Sequence, residues 1–249
     1  MPKTAAGLDE TFTIVMPVYN EEECIEEVLR SWSMVLKRYP GSELLVLNDG
    51  STDRTAEILE RIGDDNPLIR VINKKNEGHG KTIYTGYAEA VRSGHGWVFQ
   101  TDSDGQIAPT DFPALWNARS ESDLVLGFRK YRNDPAHRLV LTRIMSPMIY
   151  CLFGISLKDA NVPFRLMRRE YLETLLVKIP PGTFAPNVFL SILAARDDLD
   201  LQDIPVTHIK RKTGKESLVN VKLVKGGLRI AKELIAFRMV IFSLDEKHV

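Results

Sequence analysis

The sequence predicts an α/β fold, a mainly parallel sheet with helices on both faces, and three observations carry that expectation. Short apolar runs alternate with longer amphipathic segments through the first half. Polar clusters recur where the apolar runs end, which in such sheets is where ligands sit. The chain has 249 residues, 44% hydrophobic and 27% charged, enough for one large buried core and too apolar for disorder. Phe12 to Val18 is a continuous apolar run too short for a helix and reads as the first strand. Glu22 to Lys37 follows as a helix, Leu44 to Leu47 as a strand, and Asp53 to Ile62 as a helix. The alternation continues with strand Ile69 to Ile72, helix Thr82 to Arg92, strand Trp97 to Gln100, helix Asp111 to Arg119 and strand Leu124 to Gly127.

The second half is less regular. A helix is expected over Arg138 to Phe153, a strand-like segment over Phe164 to Met167, and a loop at Pro180-Pro181-Gly182. A helix from Val188 to Arg196, a strand from Leu201 to Val206 and a polar loop from His208 to Ser217 lead to a final helix over Val221 to Phe242. That helix sets Lys222, Lys225, Arg229 and Lys232 along one stripe, with Leu223, Val224, Ile230, Leu234 and Ile235 mostly away from it. Such a helix suits either a membrane surface or the solvated outside of a core helix. No internal repeat or low-complexity linker divides the chain.

Net charge is zero, with 33 Lys and Arg against 33 Asp and Glu, but the charges are segregated. Residues 1–128 hold 12 basic and 21 acidic side chains, a net of −9; residues 129–249 hold 21 and 12, a net of +9. The basic half points to an anionic partner, such as a nucleoside diphosphate, a phospholipid or a membrane surface, and no nucleic acid partner is expected. Two cysteines, Cys24 and Cys151, make no disulfide framework, and the first residues lack the apolar core of a secretory signal. A cytoplasmic location is therefore expected, peripheral on the inner membrane face if the last helix binds lipid. The longest uncharged run, Ile144 to Leu157, contains Pro147 and Gly154 and falls short of the roughly 20 residues of a membrane span.

The most informative stretch is Trp97-Val98-Phe99-Gln100-Thr101-Asp102-Ser103-Asp104-Gly105-Gln106. An apolar run stops and two carboxylates one residue apart follow, so alternate side chains of extended backbone can converge on one cation. Mg²⁺ or Mn²⁺ favours oxygen ligands and bridges carboxylates to a diphosphate, and the Gln106 amide offers a further oxygen. Gly78-His79-Gly80-Lys81-Thr82 ends like a phosphate-binding P-loop, but Lys75 stands where that motif needs its first glycine. Asp102-Ser103-Asp104 also has the acidic pair of haloacid-dehalogenase-type phosphatases, yet it follows the fourth strand, and Gln106 lacks the hydroxyl expected there. Asn48-Asp49-Gly50-Ser51-Thr52-Asp53 can be a turn and helix cap, which leaves Asp49 without a role in the cap. A carboxylate there can accept the imide N–H of uracil or guanine.

Taken in order, Pro17-Val18-Tyr19-Asn20-Glu21-Glu22, Asn48 to Asp53, Asn76 to Lys81, Asp102 to Gln106, and Gly127-Phe128-Arg129 resemble glycosyltransferase family 2, of the Rossmann-like GT-A fold. The resemblance is strongest to the dolichyl-phosphate mannosyltransferase and polyprenyl-phosphate glycosyltransferase branch and covers roughly residues 11–217. It implies a tail over 1–10, a catalytic domain over 11–217 and a basic amphipathic helix over 218–249. It also implies a site. Pro17, Tyr19, Glu21, Asn48 and Asp49 would meet the nucleoside, Lys81, Ser103 and Arg129 the rest of the donor, and Asp102, Asp104 and Gln106 the metal. Arg211, in Arg211-Lys212-Thr213-Gly214-Lys215-Glu216-Ser217, would bind phosphate.

Asp159-Ala160-Asn161-Val162-Pro163-Phe164-Arg165 resembles a further family segment, with Pro163 in place of the usual Gly, and offers Asp159 as a base. With Asp104, Asp159 and Arg129 as catalytic groups, the implied activity is inverting, metal-dependent transfer of a hexose. The donor is a nucleotide diphosphate sugar of the GDP-mannose or UDP-glucose type, and the acceptor a polyprenyl or dolichyl phosphate. Transfer to a glycan or other hydroxyl acceptor, and a non-catalytic nucleotide-sugar binding module, are the alternatives.

Overall fold

The computed structural model describes residues 10–129, 136–197, 199–207, 209 and 220–245. Its centre is a seven-stranded sheet in the order β3-β2-β1-β4-β6-β5-β7. In chain order these are β1 (Phe12–Val18), β2 (Glu43–Asp49), β3 (Ile69–Lys74), β4 (Trp97–Gln100), β5 (Leu124–Arg129), β6 (Arg165–Arg168) and β7 (Leu201–Val206). β1 pairs in parallel with β2 and β4, and β2 with β3. β6 runs antiparallel to both its neighbours, β4 and β5, while β7 pairs in parallel with β5. The expected mainly parallel sheet is present, with one reversed strand inserted among the described ones.

Eight described helices accompany it: α1 (Ile25–Leu36), α2 (Thr55–Asp65), α3 (His79–Ser93), α4 (Phe112–Ala118), α5 (Ala136–Phe153), α6 (Arg169–Leu176), α7 (Pro186–Arg196) and α8 (Asn220–Asp245). Side chains alternate across a strand, so one face of β1 and β4 presents Phe12, Ile14 and Phe99 and the other Val15 and Gln100. The first face meets α1 and α4, where Trp32 and Phe99 rings lie 5.3 Å apart and Phe12 and Phe112 rings 4.9 Å apart. Tilted pairs of this kind add about 0.5–1.5 kcal/mol each beyond the apolar area they bury. The second face meets α3, which comes so close that a Cβ at Gly86 would fall 2.4 Å from the Val15 side chain. α8 adds Leu234, Phe237 and Ile241 to this same core.

Two expectations are corrected. Asn48 and Asp49 do not follow the second strand but end it, paired with Asn73 and Lys74 of β3. α6 was not expected; it follows β6 without a break and has no side-chain cap at its N-terminus.

Candidate functional site

The carboxyl ends of β1, β2 and β4 lie side by side, and hydrogen bonds tie the loops that leave them together. Asn20, at φ 53° in the left-handed region that suits asparagine, donates its backbone amide to Ser51 Oγ at 3.0 Å. Its side-chain oxygen accepts the Thr52 amide at 2.8 Å. The Glu21 amide donates to Thr55 Oγ1 at 2.9 Å, and the Arg54 amide donates to Glu22 Oε2 at 2.9 Å. Asn48 closes the second loop by accepting the Ser51 amide at 3.1 Å and hydroxyl at 2.6 Å, and donates to Asn73 Oδ1 at 2.9 Å. Pro17 lies beyond the last pair of the β4 ladder, Val15 opposite Gln100, and faces Leu47 in the β2 ladder.

Asp49 is buried and committed to the protein. Its Oδ1 accepts Lys74 Nζ at 2.8 Å and the Glu77 amide at 2.9 Å, and its Oδ2 accepts the Gly78 amide at 2.9 Å. Burial pushes this carboxyl up, but the Lys74 ammonium and the backbone and Thr82 hydrogen bonds outweigh it and hold it below the usual aspartate range. Burial pulls Lys74 down in turn, and its bonds to Asp49 and Glu77 more than restore it, leaving it above the usual lysine value. Asp49 thus anchors the segment leading into α3 from a neighbouring strand.

Asp102 and Asp104 sit just beyond β4. The Asp102 side chain is 30% exposed against 5% for Asp49. Asp104 Oδ1 accepts the Gln106 amide at 3.0 Å, closing a turn over Gly105. Several segments converge here. Cys24 Sγ, at the start of α1, has Glu21 Oε2 at 3.3 Å and the Ser103 carbonyl at 3.7 Å as acceptors within reach of its one proton. His79 at the start of α3 brings Nε2 to 3.8 Å from Asp102 Oδ1. The Ile209 amide donates to the Gln106 carbonyl at 2.7 Å, which holds Ile209 against this turn.

The donor set fits a hard divalent cation. Among the described residues no group of three or more His, Cys, Asp or Glu could hold a metal alone. Two carboxylates and an amide oxygen leave room for phosphate oxygens and water, the usual coordination of Mg²⁺ beside a nucleotide.

The other expected residues divide by burial. Tyr19 is 39% exposed and Lys81 half-exposed, whereas Glu21, Asn48, Asp49 and Ser103 are buried. Asp159 is 6% exposed, and its charge opposes that of buried Arg165. Arg165 is a structural group: it donates to the carbonyls of Val162 at 2.7 Å, Asn187 at 3.0 Å and Ala160 at 3.1 Å. Arg129 ends β5 opposite Val206, and its side chain, like Arg211 and the side chains of Lys222 and Lys225, lies outside the described residues.

Within the basic stripe expected on α8, Arg229 is exposed and paired. This guanidinium bonds Glu233 at 3.0 Å and lies 5.3 Å over the Phe184 ring. Glu233 accepts the Phe184 amide at 2.9 Å, fixing a loop whose backbone presses on α3: a Cβ at Gly80 would fall 2.0 Å from the Phe184 oxygen. An open cleft of about 600 Å³ bordered by Ser122, Leu157, Asp200 and Gln202 lies at the amino edge of β5 and β7, the far edge from the carboxylates. Sequence reasoning passed over His79, Cys24 and Gln100 as site residues. Gln100 had a signal, being the one polar side chain in an apolar strand.

Comparison with known proteins agrees with this architecture. Residues 13–176 match the family model described as Glycosyl transferase family 2, well over half of the chain. The undecaprenyl-phosphate 4-deoxy-4-formamido-L-arabinose transferase of Pseudomonas fluorescens (strain Pf0-1) is 29% identical over 216 residues, 85% of this chain and 61% of that protein. Its counterpart from Proteus mirabilis (strain HI4320) is 29% identical over 219 residues, 85% of this chain and 64% of that one. The chain therefore spans less than two thirds of the length of these relatives. Among solved structures, glucosyl-3-phosphoglycerate synthase from Mycobacterium tuberculosis in complex with UDP has a TM-score of 0.68 at 19% identity, covering 92% of this chain and 80% of that one. The same enzyme with Mn²⁺, UDP-glucose and phosphoglyceric acid gives 0.67 at 19% identity with the same coverage. Likeness at that identity is likeness of fold, here the GT-A fold. By the match over residues 13–176, this chain belongs to glycosyltransferase family 2.

Proposed function

We propose that the chain transfers a hexose, with inversion, from a nucleotide diphosphate sugar to a polyprenyl phosphate, in a reaction that depends on a divalent cation. The observation that carries this reading is the half-buried Asp102 and Asp104 pair at the carboxyl end of β4, with the start of α1, the start of α3 and Ile209 around it. Asp102, Asp104 and Gln106 would hold Mg²⁺ or Mn²⁺, which supplies Lewis-acid stabilisation of the departing diphosphate. Tyr19 and the edges of the Asn20 and Ser51 loops are the surface offered to the nucleoside, and Lys81, Arg129 and Arg211 are the cations proposed for its phosphates.

A phosphate acceptor is anionic at neutral pH and attacks the anomeric carbon without a base. The new C–O bond forms opposite the breaking bond to the diphosphate, which leaves with the electron pair. A hydroxyl acceptor would need a base, and Asp159 is buried beside Arg165. The relatives named as undecaprenyl-phosphate transferases support the lipid phosphate.

A station on the membrane surface is proposed for α8. Leu228, Ile235 and Met239 are exposed on it by 60%, 52% and 71%, and no described helix is long and apolar enough to cross a membrane. The test is transfer of labelled sugar from a panel of UDP- and GDP-sugars, with Mn²⁺ or EDTA, to vesicles containing undecaprenyl phosphate. Label entering the lipid phase only with cation and phosphate acceptor is expected. Transfer that persists in EDTA, or that needs a soluble hydroxyl acceptor instead, would overturn the reading.

A further inference from the structure

We propose that Tyr87, Asn187 and Gln100 form a directional chain of hydrogen bonds that helps orient Asp102 for cation binding, with Gln100 the positioning residue that touches it. The inference rests on the cation site proposed above. Gln100 is the last residue of β4, Tyr87 lies in α3 and Asn187 opens α7, so three elements meet at one buried point. All three side chains are at most 2% exposed. Tyr87 Oη lies 2.6 Å from Asn187 Oδ1 and 3.3 Å from Gln100 Oε1. Asn187 Nδ2 donates to Gln100 Oε1 at 2.9 Å, and Gln100 Nε2 donates to Asp102 Oδ1 at 3.3 Å.

Chemistry fixes the direction. Burial pushes the Tyr87 hydroxyl far above its usual range, so it remains a donor. Its one proton goes to the nearer acceptor, Asn187 Oδ1, which leaves the Asn187 amide nitrogen to face Gln100 Oε1. Turning the Gln100 amide over would set its oxygen against the Asp102 carboxylate and its nitrogen against the Asn187 nitrogen. One orientation alone pairs every group, and it ends by donating to the carboxylate. Arg165 holds the far end by donating to the Asn187 carbonyl at 3.0 Å. Amide dipoles aligned this way polarise one another and fix the carboxylate they end on. Removing such a partner of a metal ligand typically costs 10–100-fold in metal affinity.

The test compares wild type with Gln100→Met, similar in volume but without a donor, and with Tyr87→Phe at the start of the chain of bonds. Binding of Mn²⁺ to the full chain is followed by electron paramagnetic resonance, alone and with UDP or GDP, beside thermal melting. Gln100→Met is expected to weaken Mn²⁺ binding 10–100-fold. It should also shift the Mn²⁺ dependence of transfer while saturating Mn²⁺ restores the rate. Tyr87→Phe is expected to weaken binding less, at an unchanged melting temperature. A purely structural role would lower melting and leave the affinity of the folded protein intact, and that outcome overturns the proposal. If Gln100→Met does not fold, undiminished affinity in Tyr87→Phe overturns it. A wild type that binds no Mn²⁺ in any arm overturns the cation site, and the inference with it.

Discussion

Asp49 ends β2 and Asp102 lies just beyond β4, at the carboxyl edge of one sheet with β1 alone between those strands, and their surroundings differ sharply. Asp49 spends its oxygens on an ammonium and two backbone amides and is 5% exposed. Asp102 accepts a side-chain bond from Gln100 at 3.3 Å, lies 3.8 Å from His79 Nε2 and stays 30% exposed. The contrast teaches that position at a strand end marks where a ligand can come, and that exposure distinguishes the carboxylate still open to solvent from the one buried under the protein's own donors.

The sharpest way to break the comparison is Asp104→Ala. Transfer is expected to fall about 1000-fold, roughly 4 kcal/mol of transition-state stabilisation, with no change in melting temperature. A variant that keeps most of its activity would put Asp102 and Asp104 in Asp49's class. Next, Asp49→Ala leaves Lys74 and two amides without their shared acceptor, and should cost about 3 kcal/mol in urea unfolding. Loss of activity at wild-type stability would instead make Asp49 a ligand residue, and the distinction would collapse.

A smaller effect is expected at the tie between the first two loops. Asn20→Ala forfeits the bond to Thr52 and forces alanine into the left-handed region, for a loss of about 1–2 kcal/mol measured the same way. The smallest effect is on pH dependence. The Asp49 carboxyl is held low, so its contribution is complete above the ordinary aspartate value and fades as pH falls through the folded value. Lys74 is held high, so its contribution is complete below the ordinary lysine value and fades as pH rises through the folded one. Wild type should therefore lose more of its urea midpoint than Asp49→Ala between about pH 5 and about pH 3. Parallel acid limbs would show that the pair does not act as drawn.

Much of the sheet was legible in the sequence because strands buried on both faces are continuous apolar runs. β1 and β4 lie where such runs do, and both are buried along their length. β2 was read short, because Asn48 and Asp49 look like turn residues until β3 is placed beside them. The start of α3 was read late for a related reason: the amides just before it are satisfied by a carboxylate from another strand, which no local pattern displays. The metal pair stood out because its spacing is local. The chain of bonds behind it did not, since Tyr87, Gln100 and Asn187 come from three separate elements. Arg165 lies in a segment like that of the family, yet its donors turn to backbone carbonyls, which only the fold could reveal.

The reversed strand β6 has a consequence for how this protein is made. β1, β2 and β3 can assemble from neighbouring strand-helix units as they emerge, and β4 then joins β1 with its apolar Trp97-Val98-Phe99 run and one open edge. That edge has no partner until Arg165 to Arg168 arrive, with β5 already synthesised and waiting for the same strand. An unpaired apolar edge is a template for pairing with another chain, and closing it over so long a loop is slow. The interval between β4 and β6 is therefore the stretch of synthesis in which the β4 edge stands open to pairing with another chain.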